Sequence, residues 1–473
     1  MLFSSTIFMF GFLPIVLGIY FGILKKWIKI QNTFLIITSI IFYAWGEPWF
    51  VFVMLFSILM NYFFSKGVSN SSLQLKRFWI VIAILFNIGV LCVFKYLNFI
   101  IDNVNYLFGN ILPKTNISLP IGISFFTFQA MSYVIDVYKE KVKPQSLFDV
   151  ALYVSFFPQL VAGPIVRYGV IGDKLYDREY SIQQITEGIE KFIIGLGKKV
   201  IISNQMAIVA DTAFNAVSSG ADISITFAWI GALAYTLQIY FDFDGYSQMA
   251  IGLGKMFGFD FPENFNYPYI AKSITEFWRR WHISLSTWFR DYLYIPLGGS
   301  RVDSMGKHIR NLLIVWLATG IWHGANWTFV LWGFIYFVLL VFEKYTSIYR
   351  YIQKAPASIR QIYTMFFVII AWVLFRSETL TLAKDYLFIM LGKNSVFVDR
   401  HAIQYLGEYK VFFIFAILYS LAFFKYIKRK MEKKMLNQRI ILCLTPFMYI
   451  MVFAISVTYL VTGGYNPFIY FNF

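Results

Sequence analysis

Charged residues are scarce in this 473-residue chain: Asp, Glu, Lys and Arg together make up 14%, against roughly 25% in an ordinary soluble domain. With a mean hydropathy of +0.62, that deficit argues against a water-soluble protein and makes lipid its main solvent. Acids are the scarcer sign, 25 against 41 Lys and Arg, for a net charge of +16. Such an excess points to nucleic acid or to an anionic membrane surface. The basic residues fall in short clusters between apolar runs, which fits cytoplasmic loops beside lipid and gives no role to nucleic acid. Cysteine is limited to Cys92 and Cys443, both inside apolar stretches. They read as small core residues, and a disulfide framework is ruled out. Histidine is limited to His282, His308, His323 and His401. None is spaced with cysteines or carboxylates as metal ligands on one helix would be, so neither a metal nor a bound cofactor is expected. A phosphate-cradling glycine loop and a Ser-centred nucleophile elbow are missing as well.

Apolar runs are what the chain has in abundance. A membrane-spanning helix needs about 20 mostly apolar residues. Candidates run from Ser5 to Leu24, Thr33 to Trp45, Trp49 to Phe64, Phe78 to Phe94, Leu119 to Tyr138, Ile189 to Ala210, Thr226 to Tyr240, Phe329 to Phe342, Ile362 to Phe375, Val411 to Phe424 and Ile440 to Val461. The shorter ones, with the glycine-interrupted stretches Phe156 to Gly163 and Leu312 to Gly324, read as tilted, re-entrant or enclosed helices. The first run lacks a preceding positive charge and a small-residue cleavage pattern, so it reads as a retained helix, not a signal peptide. The expectation is an all-α, polytopic integral membrane protein. It would be one domain over residues 1–473, with about ten to twelve transmembrane helices and further re-entrant or interfacial ones. Lys25 to Lys29, Lys66 to Arg77, Lys139 to Lys143, Lys344 to Arg360 and Lys425 to Arg439 are the basic connections. Placed in the cytoplasm, they put both termini outside. They read as topogenic loops more than as a specific anionic-lipid site.

Proton-transfer chemistry is what remains. His323 sits in Leu317-Ala-Thr-Gly-Ile-Trp322-His323-Gly324-Ala-Asn326-Trp327, a polar group in an apolar setting with glycines that allow close approach. An ionisable residue at membrane depth is a functional candidate, and burial favours the neutral imidazole that accepts a proton. The alternative is a histidine satisfied by hydrogen bonds between helices. A second constellation runs from Ile274 to Tyr292. Read as one helix, it puts Phe277, Trp281, Leu285, Trp288 and Tyr292 on a stripe, with Arg279, Arg280 and Arg290 off it. That is the pattern of a helix lying in the membrane interface. Arg279 and Arg280 are candidates to hold a phosphate-bearing donor, while His282 needs a partner from elsewhere in the fold. A third stretch puts Asp242 and Asp244 at the end of an apolar run. Acid/base work by this pair is the sharper reading, and structural pairing with the arginines the plainer one.

Several of these stretches resemble the membrane-bound O-acyltransferase (MBOAT) superfamily, over nearly the whole chain. They are Leu119-Pro-Ile-Gly-Ile-Ser-Phe-Phe-Thr-Phe-Gln129, Phe156-Phe-Pro-Gln-Leu-Val-Ala-Gly-Pro164, Asp242-Phe-Asp-Gly-Tyr-Ser247, Pro262-Glu-Asn-Phe265, Glu276-Phe-Trp-Arg-Arg-Trp-His282, Trp288-Phe-Arg-Asp-Tyr-Leu-Tyr-Ile-Pro-Leu-Gly-Gly299 and Trp322-His-Gly324. Tyr294 to Arg301 is similar to the alginate O-acetyltransferase branch more than to the teichoic-acid D-alanyl branch. The tail Pro467 to Phe473 is similar to the family's aromatic tail, with an Asn where a Gln is expected. The resemblance implies an enzyme in which His323 is the invariant histidine, deep in a funnel where the two sides of the membrane nearly meet, and His282 the second. His323 would serve as general base or as covalent acyl carrier, and His282 would position or handle the donor. Trp322, Asn326, Arg279, Arg280, Asp242 and Asp244 are the substrate- and donor-binding candidates. Acetyl-coenzyme A is the implied donor substrate. A polysaccharide is the implied acceptor, reached through a separate extracytoplasmic acetyl-transfer protein, with the chain in a bacterial plasma membrane among its lipids. D-alanyl transfer to teichoic acid, peptidoglycan O-acetylation and lipid acylation are rival acceptor chemistries. A proton-coupled polysaccharide transporter is the rival of another class, although the repeated halves it would show are not found.

Overall fold

The structure, a computed structural model, describes residues 1–178, 180–393, 396–432 and 435–469, without the side chains of 428, 432 and 435–443. The side chain of Cys443, those at the end of the 425–439 basic cluster and the tail from 470 to 473 therefore lie outside what is described. Among those described, the chain is helical and has no β-strand. The helices are α1 (Ile7–Ile23), α2 (Ile28–Gly46), α3 (Phe50–Asn70), α4 (Leu73–Phe108), α5 (Ile123–Tyr138), α6 (Leu147–Ser155), α7 (Ile182–Ser218) and α8 (Ile225–Met256). There follow α9 (Ile274–Arg280), α10 (Ile283–Phe289), α11 (Met305–His323), α12 (Trp327–Tyr345), α13 (Ser347–Lys354), α14 (Ala357–Arg376), α15 (Leu380–Met390), α16 (Arg400–Ser420), α17 (Phe423–Glu432) and α18 (Met435–Val461).

Eight of them, α2, α3, α4, α7, α12, α14, α16 and α18, are long and apolar enough to cross a bilayer. The chain is a multi-pass membrane protein. The expected ten to twelve also included runs that take other forms. The first run becomes α1, an apolar helix of intermediate length that mixes α and π turns. Leu119 to Tyr138 becomes α5, 16 residues long and buried on nearly every face, Gln129, Ser132 and Asp136 included. A helix enclosed all round is a core helix, whatever its composition. Phe156 to Gly163 is a single helical turn followed by irregular backbone, buried throughout, which is where non-helical backbone is tolerated at membrane depth.

The described chain divides into two compact units, Met1–Phe192 with Ser247–Pro262, and Ile193–Tyr246 with Glu263–Phe473, the division falling inside α7 and α8. In the first, α3 and α4 are joined by a buried reciprocal amide pair, Asn61 Nδ2 to Asn87 Oδ1 at 3.2 Å and Asn87 Nδ2 to Asn61 Oδ1 at 2.8 Å. Each amide satisfies the other where water does not reach. In the second unit, α11 and α12 form an antiparallel hairpin. Leu312 to Gly324, expected to be interrupted by glycine, is instead an unbroken helix up to His323. Gly320 marks a contact: a Cβ there would stand 2.4 Å from the Phe329 carbonyl oxygen, and one on Gly333 2.4 Å from that of Trp316. Only paired glycines let the two backbones come this close.

Candidate active site

Ser273 starts α9 as its N-cap, its Oγ accepting the Glu276 N–H at 2.9 Å, and Glu276 in turn pairs with Arg280 at 2.9 Å. The sequence read Ile274 to Tyr292 as one interfacial helix. The structure breaks it at Trp281 and His282, with His282 in the left-handed region at φ 42°, ψ 56°. The cause is a competing set of hydrogen bonds from residues 264–266. The Asn264 carbonyl accepts the Ile283 N–H at 2.8 Å, and the Asn266 N–H donates to the Arg280 carbonyl at 2.9 Å. Asn264 Oδ1 takes three donors: Ser284 Oγ at 2.9 Å, Ser284 N–H at 3.1 Å and His282 Nδ1 at 3.2 Å. A non-glycine residue in this conformation costs about 1–2 kcal/mol, and these bonds hold it there. The stripe does not lie in an interface. Phe277 and Trp281 are interior, and Trp278 packs edge-on against Trp316 and Tyr336, each with ring centroids 4.8 Å away.

An oxygen facing His282 Nδ1 accepts a hydrogen bond, so Nδ1 carries the ring proton and Nε2 the basic lone pair. Complete burial pushes the pKa of this imidazole down to about 3, because the charged form loses its hydration. His282 is neutral at physiological pH.

His323 is the last residue of α11, and Gly324 continues in extended backbone. Its ring meets three others edge-on: Trp322 and Trp332 at 4.9 Å and Phe375 at 5.3 Å. His282 meets the same Trp322 indole at 6.2 Å and 76°. The structure thus brings the two histidines, 41 positions apart in sequence, onto one tryptophan, with exposures of 0% for His282 and 4% for His323.

The other candidates are placed as follows. Trp322 is in ring contact with both imidazoles. Asn326 caps α12, its Oδ1 accepting the Thr328 N–H at 3.1 Å while Nδ2 reaches the Glu378 carbonyl at 2.7 Å. Arg279 is exposed, and Arg280 bonds Glu276 and the Asn266 carbonyl. Asp242 and Asp244 lie in the body of α8, not at the end of a run, and pair with lysines instead of arginines. Lys198 meets Asp244 at 2.6 Å and Lys199 meets Asp242, all four buried. The lysines come from a π-helical turn of α7. His308 is held by Tyr345 at 2.6 Å, Tyr294 at 2.7 Å and Lys344 at 3.2 Å, and the His401 ring stacks near Phe227. Among the described residues, no group of three or more His, Cys, Asp or Glu could hold a metal.

Sequence reasoning missed Asn264 as the partner of His282, although the residue stands in a quoted motif. It also missed Lys198 and Lys199, which the rule that selected His323 would have flagged inside their apolar run. Trp332 and Phe375 carried no signal, since aromatics are everywhere in this chain.

Two enclosed imidazoles in contact with one indole, inside a multi-pass helical protein, form a candidate site for proton transfer away from bulk water. Residues 37–383 match MBOAT, the membrane-bound O-acyltransferase family. The chain is 43% identical over 393 residues, 81% of its length and 74% of the relative's, to a probable alginate O-acetylase AlgI of Pseudomonas syringae pv. tomato. It is 37% identical over 499 aligned positions, the whole of both chains, to a protein of the same name in Pseudomonas putida. It is also 37% identical over 430 residues, 84% and 81% of the two chains, to a peptidoglycan O-acetyltransferase of Helicobacter pylori. The chain belongs to the membrane-bound O-acyltransferase family, and is an O-acyltransferase.

Proposed function

We propose that this protein transfers acetyl groups from acetyl-coenzyme A on the cytoplasmic side to an extracytoplasmic polysaccharide, with a separate protein completing delivery outside. The juxtaposition of His282 and His323 on Trp322 carries the reading. In the transfer, an acceptor hydroxyl attacks the thioester carbonyl. The new C–O bond forms as the C–S bond breaks, the hydroxyl proton passes to His323, and the coenzyme leaves as a thiol after taking that proton. His282, neutral and with its lone pair on Nε2, accepts a hydrogen bond from the donor and orients it. The aromatic surround keeps water from hydrolysing the thioester. The same geometry serves a histidine that is itself acylated, in which case acetyl would reside on His323 between two half-reactions.

The bacterial relatives support a bacterial plasma membrane, and cytoplasmic placement of the basic loops supports both termini outside. Its polysaccharide acceptor is supported by the alginate O-acetylase names of its relatives. Peptidoglycan as acceptor is the second reading, favoured by the Helicobacter relative. Replacing His323 by Ala at unchanged membrane abundance is expected to abolish acetate on the exported polymer, and unchanged acetylation rejects the proposal. Mass analysis of polysaccharide, peptidoglycan and wall polymers from a deletion strain separates the acceptors, and loss of D-alanine instead of acetate would select D-alanyl transfer.

A further inference from the structure

Glu343 stands in the last turn of α12 and is 8% exposed. A carboxylate there faces the negative end of its own helix dipole, an unfavourable position. The Tyr349 hydroxyl of α13 donates to this carboxylate, and its remaining partners lie in α9. Oε1 accepts the Ile274 N–H at 2.6 Å, and Oε2 accepts the Thr275 N–H at 3.0 Å and the Thr275 hydroxyl at 2.7 Å. Ile274 and Thr275 are the first two residues of α9, whose N–H groups have no partner within their own helix. The third, of Glu276, is taken by the Ser273 hydroxyl. At this end of α9 a negative charge is favourable, so the charge on Glu343 serves α9 and not α12.

Seven residues of α9 span about 10 Å, and His282 follows two positions after its end. The helix that supplies Glu343 also supplies Trp332, whose ring touches His323 at 4.9 Å and Trp278 of α9 at 5.6 Å. From Trp332 to Glu343 along α12 is about 16 Å. One rigid helix thus holds the ring beside the first imidazole and the start of the segment that delivers the second. We infer that Glu343 is a positioning residue for His282: its carboxylate anchors the N-terminus of α9 and fixes where the left-handed turn at His282 falls relative to His323. This rests on the reading of the two histidines as the acyl-transfer pair.

The test moves the charge. Full-length variants replace the wild type in cells, membrane abundance is matched, and acetate per sugar of exported polymer is measured. Glu343→Gln keeps the shape and removes the charge; it is expected to lower acetylation about tenfold or more, as a displaced catalytic group does. Thr275→Asp alone sets a second carboxylate against Glu343 and is expected to fall as well. Combined, Glu343→Gln and Thr275→Asp return one negative charge to the α9 terminus, and acetylation recovers to about half of wild type or better. With membrane abundance matched, a merely stabilising contact would leave acetylation per molecule unchanged, whereas a displaced His282 lowers it. Normal acetylation in Glu343→Gln, or no recovery in the double variant, overturns the inference. Should Glu343→Gln fail to reach the membrane, Thr275→Val, which deletes one of the three bonds from α9, is expected to fall about threefold, and an unaffected Thr275→Val overturns the inference equally. His282→Ala runs alongside. If it acetylates normally, the reading of the site fails; if it loses acetylation while Glu343→Gln is normal, only this inference does.

Discussion

Replacing Gly320 by Ala should damage transfer far more than assembly, and the structure gives the reason. The added Cβ would lie 2.4 Å from the Phe329 carbonyl oxygen, where ordinary contact begins at 3.4 Å, so α11 and α12 must part by about 1 Å. The obstacle is backbone and cannot rotate aside as a flexible side chain would. Overpacking of this kind costs about 1–3 kcal/mol, which a large helical protein survives. His323 lies three residues further along the same helix, however, and its ring is set against Trp332 of α12. A displacement of 1 Å in a catalytic group costs about a hundredfold in rate. Gly320→Ala is therefore expected in the membrane at near-normal abundance, with polymer acetate reduced by about two orders of magnitude. Gly306, in the first turn of the same helix, has nothing within 4 Å of its would-be Cβ, and Gly306→Ala should be silent in both assays. Wild-type acetylation in Gly320→Ala, or equal damage from Gly306→Ala, would refute the reasoning.

Asn264→Leu removes the oxygen that takes three donors; since each buried group left unpaired costs about 1–3 kcal/mol, it should lower the melting temperature of the purified protein and abolish acetylation, and an unchanged melting curve would count against the competing-bond account of the His282 turn. Because the pKa of His282 falls to about 3 in the folded protein, against its ordinary 6.5, its contribution to stability is complete above pH 6.5 and is lost as pH falls from there towards 3. The loss amounts to roughly 2 kcal/mol by pH 5, so His282→Asn should show a shallower decline in melting temperature between pH 7 and pH 5, and parallel curves would contradict the assignment. Lys199→Met leaves Asp242 buried without its counter-charge and should cost about 3–5 kcal/mol; Lys199→Met with Asp242→Asn should recover most of that, a recovery that thermal aggregation in detergent would detect, and its absence would argue against a structural pair.

The membrane class was legible because lipid leaves no alternative: spanning segments must be apolar, and α2, α3, α12 and α14 fall where the runs predict. Helix extents were less legible for a physical reason. A helix enclosed by other helices has no need to be apolar throughout, so α8 continues past Tyr240 through two aspartates, and α11 starts with Lys307, His308 and Arg310 in its first two turns. Conversely, α5 is apolar enough to suggest a span yet is a core helix. At the site, His323 was visible as a polar group in an apolar segment, and His282 through its motif. The break that places His282 was invisible, because periodicity from Phe277 to Tyr292 fits an unbroken helix, and only the distant Asn264 draws the backbone away from it.

The same physical rule, that an ionisable group at membrane depth is expensive to keep, selects two sets of residues here that behave differently. Lys198 and Lys199 are each set against an aspartate, Asp244 and Asp242, so a charge on one is matched on the spot by the other. Asp242 and Asp244 are two residues apart on a helix, about 200° around its axis, so they face different partners and do not form a carboxyl pair that shares a proton. Matching fixes these groups: a proton taken by either aspartate would strand a lysine. Imidazole is free of that constraint. His282 stays neutral within its hydrogen bonds and aromatic contacts and needs no counter-ion. A neutral ring that takes a proton only while the nucleophile attacks, and returns it to the leaving sulfur, carries charge for that step alone. Among side chains that titrate, this makes histidine the one suited to move a proton here without a standing charge.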